Sequence, residues 1–252
     1  MEPLKMRSIV VIVAKAPVAA CVKTRLCPHL SAAEAAELYT LFVQDMVEEM
    51  SRLTRSGPSA PACTVALAYT PDGAEPVFRA ILPEGVPLFP QRGADLGERL
   101  AGIFGKLHAQ GYHRVHIINS DSPDMPSTLV ARSIELLNRP NIDLVLGPCR
   151  DGGYYLVGLK RPMPRLFSQI PWSTDRVLEM TLQCARELGL RFALLEPWYD
   201  IDRFEDLLFF LERNRDRADD LPRAGWRTLN HLKRGNFGAC PVETNPEWEQ
   251  TI

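Results

Sequence analysis

The chain has 252 residues, 46% of them hydrophobic and 24% charged, with a formal net charge of −2. That length supports one large α/β domain, or two small ones, whose core needs no covalent staples. The near-neutral balance excludes the strongly basic footprint of a nucleic-acid binder, and six scattered cysteines with no C-x-x-C pair argue against a zinc site or disulfide framework.

Strand and helix patterns alternate along most of the chain. Ser8–Ala14 is a continuous β-branched run, as expected of a strand buried on both faces. It is far too short to span a membrane and lacks a signal peptide's cleavage site, so the reduced cysteines and this strand predict a cytoplasmic protein. Ser31, with Glu34 three residues on, forms a capping box that opens a helix. Leu38, Phe42, Met46, Met50 and Leu53 make its apolar stripe, and Ser56-Gly57-Pro58-Ser59 ends it. Cys63–Tyr69 follows as a strand, then a short extended piece at Leu88-Phe89. A helix runs from Leu96 through Leu100, Ile103, Phe104 and Leu107 to stop at Gly111. Strands are predicted at Val115–Ile118, Ile142–Leu146, Tyr154–Leu159 and Arg191–Leu195, and helices at Thr128–Leu137, Arg176–Leu188 and Phe204–Leu211. Strands separated by helices of this length imply crossover connections and a mostly parallel sheet. Periodicity fades from Pro222 onward, so residues 1–221 are expected to form the domain and 222–252 an appended arm, with Arg223, Arg227, Lys233 and Arg234 beside Trp226.

The most informative segment is Asn119-Ser120-Asp121-Ser122-Pro123-Asp124, which directly follows the apolar run Val115–Ile118. A buried strand thus delivers two carboxylates to its carboxyl end, where open α/β sheets bind ligands. Asp121, where the strand stops, suits Mg²⁺ or Mn²⁺, hard cations often held by one or two carboxylates plus phosphates. Asp124 is equally suited to capping the helix that begins after Pro126. In Tyr199-Asp200-Ile201-Asp202, Asp202 is placed to cap the last helix, or to complete with Asp121 a cation site, with Asp200 a further acidic candidate.

The loop after the first strand carries Lys15, Lys23, Thr24 and Arg25. Such cations and hydroxyls can neutralise and fix a polyphosphate, although neither a Walker A loop nor a glycine-rich dinucleotide fingerprint is present. The same residues also fit a solvated basic loop. Gln91-Arg92-Gly93-Ala94-Asp95-Leu96-Gly97-Glu98-Arg99 opens a helix, and its polar cluster could contact a base or sugar, with Asp95 as a helix cap the default reading. Asp151-Gly152-Gly153-Tyr154 fits close approach to a ligand or a plain turn.

Taken in order, these segments resemble bacterial glycosyltransferase-A-like nucleotide-sugar transferases, related to 2-phospholactate guanylyltransferase and the molybdenum-cofactor nucleotidyltransferases. The resemblance rests on Ala14-Lys15-Ala16-Pro17, Val22-Lys23-Thr24-Arg25-Leu26, Asp95-Leu96-Gly97-Glu98-Arg99, Ser120-Asp121-Ser122-Pro123-Asp124, Asp151-Gly152-Gly153-Tyr154, Pro171-Trp172-Ser173-Thr174 and Asp200-Ile201-Asp202. It covers residues 8–211 and implies a Rossmann-like, three-layer α/β/α glycosyltransferase-A fold. It further implies a Mg²⁺ or Mn²⁺ cofactor on Asp121 and Asp202, and a nucleotide near Lys15, Lys23, Thr24, Arg25, Gln91 and Asp95. Asp151 and Lys23 would serve the chemistry, with Gly152, Gly153 and Trp172 on the substrate side. The implied partners are a nucleotide sugar or nucleoside triphosphate and a small-molecule acceptor, with no nucleic acid and no membrane span. Glycosyl transfer, nucleotidyl transfer with pyrophosphate release, and non-catalytic nucleotide binding all remain compatible with these motifs. In one departure, the family commonly has Pro-Gly in the first loop where this chain has Ala19-Ala20. If that glycine takes a positive φ, alanine there is strained by about 1 kcal/mol or more.

Overall fold

A computed structural model describes residues 6–54, 63–215 and 223–235. The expected ending of the first helix at Ser56–Ser59, the last cysteine, Cys240, and the distal part of the predicted arm lie outside those residues. Strands β1 (Ser8–Lys15), β2 (Cys63–Thr70), β3 (Leu88–Pro90), β4 (Arg114–Ile118), β5 (Leu144–Pro148), β6 (Tyr154–Leu159) and β7 (Phe192–Leu194) form one seven-stranded sheet in the order β3-β2-β1-β4-β6-β5-β7. Only β6 runs against its neighbours, pairing antiparallel with β4 and β5, so the sheet is mostly parallel.

Alternation along β1 distributes the core to both faces. Val10 and Ile12 meet α1 (Ala32–Met50), α4 (Ser127–Asn138), α6 (Phe204–Arg213) and α7 (Trp226–Arg234). Ile9 and Val11 meet α3 (Leu96–Ala109) and α5 (Val177–Glu187). The result is three layers, α/β/α. Ser31 and Glu34 form the expected capping box, and Asp95 accepts from the Glu98 backbone N–H at 2.8 Å to cap α3. No helix among the described residues is long and apolar enough to cross a membrane. The five cysteines among them are free thiols.

The sequence reading missed two helices. The short α2 (Glu75–Ile81) starts with Pro76 in its first turn, a position that proline tolerates. In α7, Thr228, Leu229 and Leu232 are buried, and the helix packs on α1. Its amino end is held by Asp45 of α1, which accepts from the Arg227 and Thr228 backbone N–H groups and from Thr228 Oγ1 at 2.7–3.0 Å. Burial pushes the Asp45 carboxyl up to about 6, despite those bonds.

Chain order sets the location of a ligand crevice. After β1 the chain moves outward to β2 and β3, then returns to place β4 on the other side of β1. The strand order therefore reverses between β1 and β4, and an open α/β sheet binds ligands at the carboxyl ends beside such a switch point.

Beneath that point, His116 of β4 is fully buried, with Nδ1 2.9 Å from Ser133 Oγ. Burial, aided by Arg114, pushes its pKa down to about 3. The imidazole stays neutral in the fold but takes a proton on unfolding below about pH 6.5. Its contribution to stability therefore falls as pH drops through 6.5, by up to about 1.4 kcal/mol per pH unit. Because buried Asp45 acts in the opposite direction, the expected result is a difference: His116→Gln should lose less stability than the parent between pH 6.5 and 5. Denaturant titrations at several pH values measure that slope.

Candidate functional site

At the switch point lies a cleft of about 320 Å³, lined in part by Lys15, Lys23, Tyr39, Gln91, Arg99, Ser120, Asp121 and Asp202. Three chain segments converge there: the loop after β1, the loop after β4, and the stretch before α6. The last is laid across the sheet by a bridge between Cys149 and Trp198 and by the Ile201 N–H, which donates to the Asp121 carbonyl at 2.9 Å.

Asp121 and Asp202 meet on one cation. Lys23 Nζ lies 2.5 Å from Asp121 Oδ1 and 2.8 Å from Asp202 Oδ1, and donates to the Ile201 carbonyl at 2.6 Å. The Lys23 side chain is only 4% exposed and runs over the rings of Tyr39 and Phe42. Burial alone would lower its pKa; Asp121 and Asp202 outweigh that and hold the ammonium well above its ordinary range. Burial likewise pushes Asp202 up, but Lys23, Arg25 and Arg203 win, leaving that carboxyl below its usual range. Asp202 does not cap α6. That role falls to Asp206, which accepts from the Arg203 and Asp202 backbone N–H groups.

More acid lies behind this pair. Asp200 accepts from Asn119 Nδ2 and Ser122 Oγ, both at 2.7 Å, and from the Cys149 thiol at 3.3 Å. Burial and then Asp121 push it up to about 6. Burial, followed by Asp200, Asp151 and Asp121, pushes the Cys149 thiol far up, so it is not a thiolate nucleophile. Cys149, Asp151 and Asp200 each bring one ligand-type atom within 4.8 Å of the others.

Asp124 overturns its expected role as a helix cap. The N-cap of α4 is Pro126, without a side-chain bond. Asp124 is instead buried away from the cleft, where its Oδ2 accepts from Tyr199 Oη at 2.7 Å and Asn214 Nδ2 at 3.2 Å, with Arg213 at 3.7 Å. It thereby ties the loop bearing Asp121 to the segment bearing Asp202. Asp124→Leu removes the acceptor shared by these donors and should destabilise the fold by about 1–3 kcal/mol in chemical denaturation.

The first loop contains the strain anticipated from Ala19-Ala20. Ala20 has φ 62°, in the left-handed region, and Lys23 has φ 48°. The Lys23 conformation is held by its three charged and carbonyl contacts. Nothing comparable holds exposed Ala20. Relief of about 1–2 kcal/mol against a glycine entropy term of about 0.5–1 leaves Ala20→Gly stabilising by about 0.5–1 kcal/mol, measurable by thermal unfolding.

The other expected residues divide. Lys15 lines the cleft and donates to the Cys21 carbonyl at 2.7 Å, while buried Gln91 donates to the Ala14 and Ala68 carbonyls at its floor. Thr24 and Arg25 are exposed and outside the lining, and Asp95 is engaged as the α3 cap. Asp151 is exposed in the β5–β6 turn, accepting from the Gly153 N–H at 2.9 Å. Gly152 has φ 85°, and a Cβ there would come 2.0 Å from the Asp175 carbonyl oxygen. Its close approach is to the Asp175 backbone. Trp172 is half-buried beside Tyr154 and Gly97 and is not among the residues lining the cleft.

Three further residues line the cleft: Tyr39, which the sequence reading missed, and Arg99 and Ser120, which lie inside the candidate segments Gln91–Arg99 and Asn119–Asp124 without being singled out. Tyr39 Oη lies 2.6 Å from Ser120 Oγ and accepts from the Lys15 N–H, joining the β1 and β4 ends. Burial, then Asp121, pushes its pKa up to about 12. Arg99 reaches the cleft because the Asp95–Arg99 motif opens α3 beside it.

The fold is that of the nucleotide-diphospho-sugar transferases. Residues 53–174 match a family model described as "Uncharacterized protein conserved in bacteria (DUF2064)". The solved structure of a "putative nucleotide-diphospho-sugar transferase" from Desulfovibrio desulfuricans G20 is 31% identical, with a TM-score of 0.79 over 90% of this chain and 95% of that one. The chain belongs to the same family as that protein. More distantly it shares its fold with a CMP:2-keto-3-deoxy-manno-octonic acid synthetase solved with CTP (12% identity, TM-score 0.52, 84% of this chain and 100% of that one). It shares it also with a cytidylyltransferase from Leptospira borgpetersenii (13% identity, TM-score 0.52, 95% and 99%). No curated protein matches the chain. No specific relation to 2-phospholactate guanylyltransferase emerges from these matches.

Proposed function

We propose that the protein transfers a sugar from a nucleotide-diphosphate sugar to a small-molecule acceptor, with Mg²⁺ or Mn²⁺ held by Asp121 and Asp202. The observation carrying this reading is the convergence of those two carboxylates on one buried cationic point at the switch-point cleft. The donors fit a hard divalent ion: both are carboxylate oxygens, and Asp200 adds further negative potential behind them. Such an ion supplies charge that offsets the negative charge growing on the departing nucleoside diphosphate.

The protein's own side chains supply the rest. Lys15 and Arg99 face the cleft with donors suited to phosphate oxygens. Lys23 adds a positive charge beside the cleft, bonded to both carboxylates, so a divalent ion there would compete with its ammonium for them. Tyr39 and Ser120 brace the strand ends between which the nucleotide would lie. Asp151, exposed near Asp200, is the residue assigned to orient or deprotonate the acceptor hydroxyl.

Calorimetric titration with a panel of nucleotide sugars in the presence of Mn²⁺ tests this reading. Binding of at least one is expected, followed by release of the nucleoside diphosphate when an acceptor is supplied; folded protein that binds none of them refutes it. A second reading, nucleotidyl transfer, is favoured by the fold shared with the synthetase solved with CTP and with the cytidylyltransferase. It would use the same cleft, and predicts pyrophosphate release from a nucleoside triphosphate and a phosphorylated acceptor.

A further inference from the structure

At the opposite end of the sheet lies a second cavity of about 320 Å³, whose walls include His108, His113, Arg114, Lys160, Tyr112 and Leu137. The five residues of β4 separate it from the cleft, about 16 Å of strand. We propose that this cavity is a binding site for a phosphate group, whether inorganic phosphate or the phosphate of a small monoester.

Arg114 carries the argument. It is 7% exposed, and its Nε donates to the Leu137 carbonyl at the end of α4 at 3.3 Å. That bond explains why an arginine there caps the helix. It does not explain the rest of the guanidinium: Nη1 is buried without a hydrogen-bond partner, and no carboxylate pairs with Arg114 among the described residues. A buried, unpaired donor on a permanent cation is costly, and an oxyanion is the partner that best satisfies it.

The surroundings point to the same ligand. No carboxylate is among the residues lining the cavity. The nearby acid, Asp143, is already engaged by Arg191 through two side-chain bonds at 2.8 and 3.1 Å. Lys160 Nζ donates to the Arg139 carbonyl at 2.5 Å and keeps two further N–H donors. His113 Nδ1 accepts from the Arg7 N–H at 3.2 Å, which places its ring proton on Nε2. His108 also lines the cavity, and its Nε2 is buried without a hydrogen-bond partner. An arginine, a lysine and histidines thus line one cavity with more N–H donors than the two oxygens of a carboxylate would need, which suits the three oxygens of a phosphate. Tyr112 and Leu137 add an apolar wall that could accept the body of a monoester.

The test uses the full chain, with the His108 and His113 ring signals followed by NMR during titration with inorganic phosphate. Ionic strength is matched with chloride. Both signals should move saturably, and Lys160→Ala should weaken the apparent affinity at least tenfold. Arg114→Lys should weaken it similarly, while Lys15→Ala in the distant cleft should leave it unchanged. The site is refuted if the rings respond only as they do to chloride, or if Lys160→Ala binds like the parent. Stronger binding of acetate than phosphate would overturn the phosphate assignment, and a monoester binding more tightly than inorganic phosphate would identify the source.

Discussion

If the proposed metal-dependent transfer is the activity, Asp121→Asn and Asp202→Asn are each expected to lower it by about a hundredfold or more while leaving the protein folded. Each replacement keeps the shape of the side chain and removes one ionised oxygen from the point on which the two carboxylates converge. Backbone support survives in the first case, because the bond from the Ile201 N–H goes to the Asp121 carbonyl rather than its side chain. The loss expected from weakening a divalent site that stabilises a leaving diphosphate is several kcal/mol, or about two to three orders of magnitude in rate. Retained Mn²⁺ affinity can be read separately, from the free-Mn²⁺ electron paramagnetic resonance signal. Each variant should bind Mn²⁺ at least tenfold more weakly. Lost activity with parental Mn²⁺ affinity would instead place the ion elsewhere in the acidic neighbourhood.

How far these residues were legible follows from the range of the interactions involved. β1, β2 and β4 were readable because continuous β-branched runs between helical periods have few alternatives in a doubly covered sheet. The reversed direction of β6 was not, since Tyr154–Leu159 is apolar throughout and such a run carries no polarity along its length. Local capping rules worked where a cap is local, at Ser31 and Asp95. They misled at Asp124 and Asp202, whose partners come from residues far along the chain: Tyr199 for the first, Lys23 for the second, 179 positions away. That Asp121 and Asp202 could share a ligand was suggested by two acidic residues at strand ends and by the ordered motifs, but their meeting in space was not legible. Tyr39 was invisible for a different reason: it sits beside Leu38 in a helix whose stripe already explained its apolar neighbours.

Lys23→Met should destabilise the metal-free protein, and Mn²⁺ should then stabilise the variant more than it stabilises the parent. The methionine retains most of the buried stem that lies against Tyr39 and Phe42, so packing changes little. What disappears is the cation between Asp121 and Asp202, with Asp200 close behind them. Removing one partner of a fully buried pair costs about 3–5 kcal/mol. Here the carboxylates are 33% and 45% exposed and water screens them, which reduces the expectation to about 1–3 kcal/mol. In the parent, a divalent ion must compete with an ammonium already bonded to both carboxylates. In the variant that competition is gone, so Mn²⁺ binding should tighten and raise the unfolding temperature further, by mass action on the folded state. Transfer should nevertheless fall, because the charge Lys23 holds beside the cleft is lost along with it. Thermal unfolding of both proteins across a Mn²⁺ series separates the possibilities. Equal Mn²⁺ shifts in parent and variant would mean that lysine and metal do not share these carboxylates, whereas a smaller shift in the variant would make Lys23 a supporter of metal binding rather than its competitor.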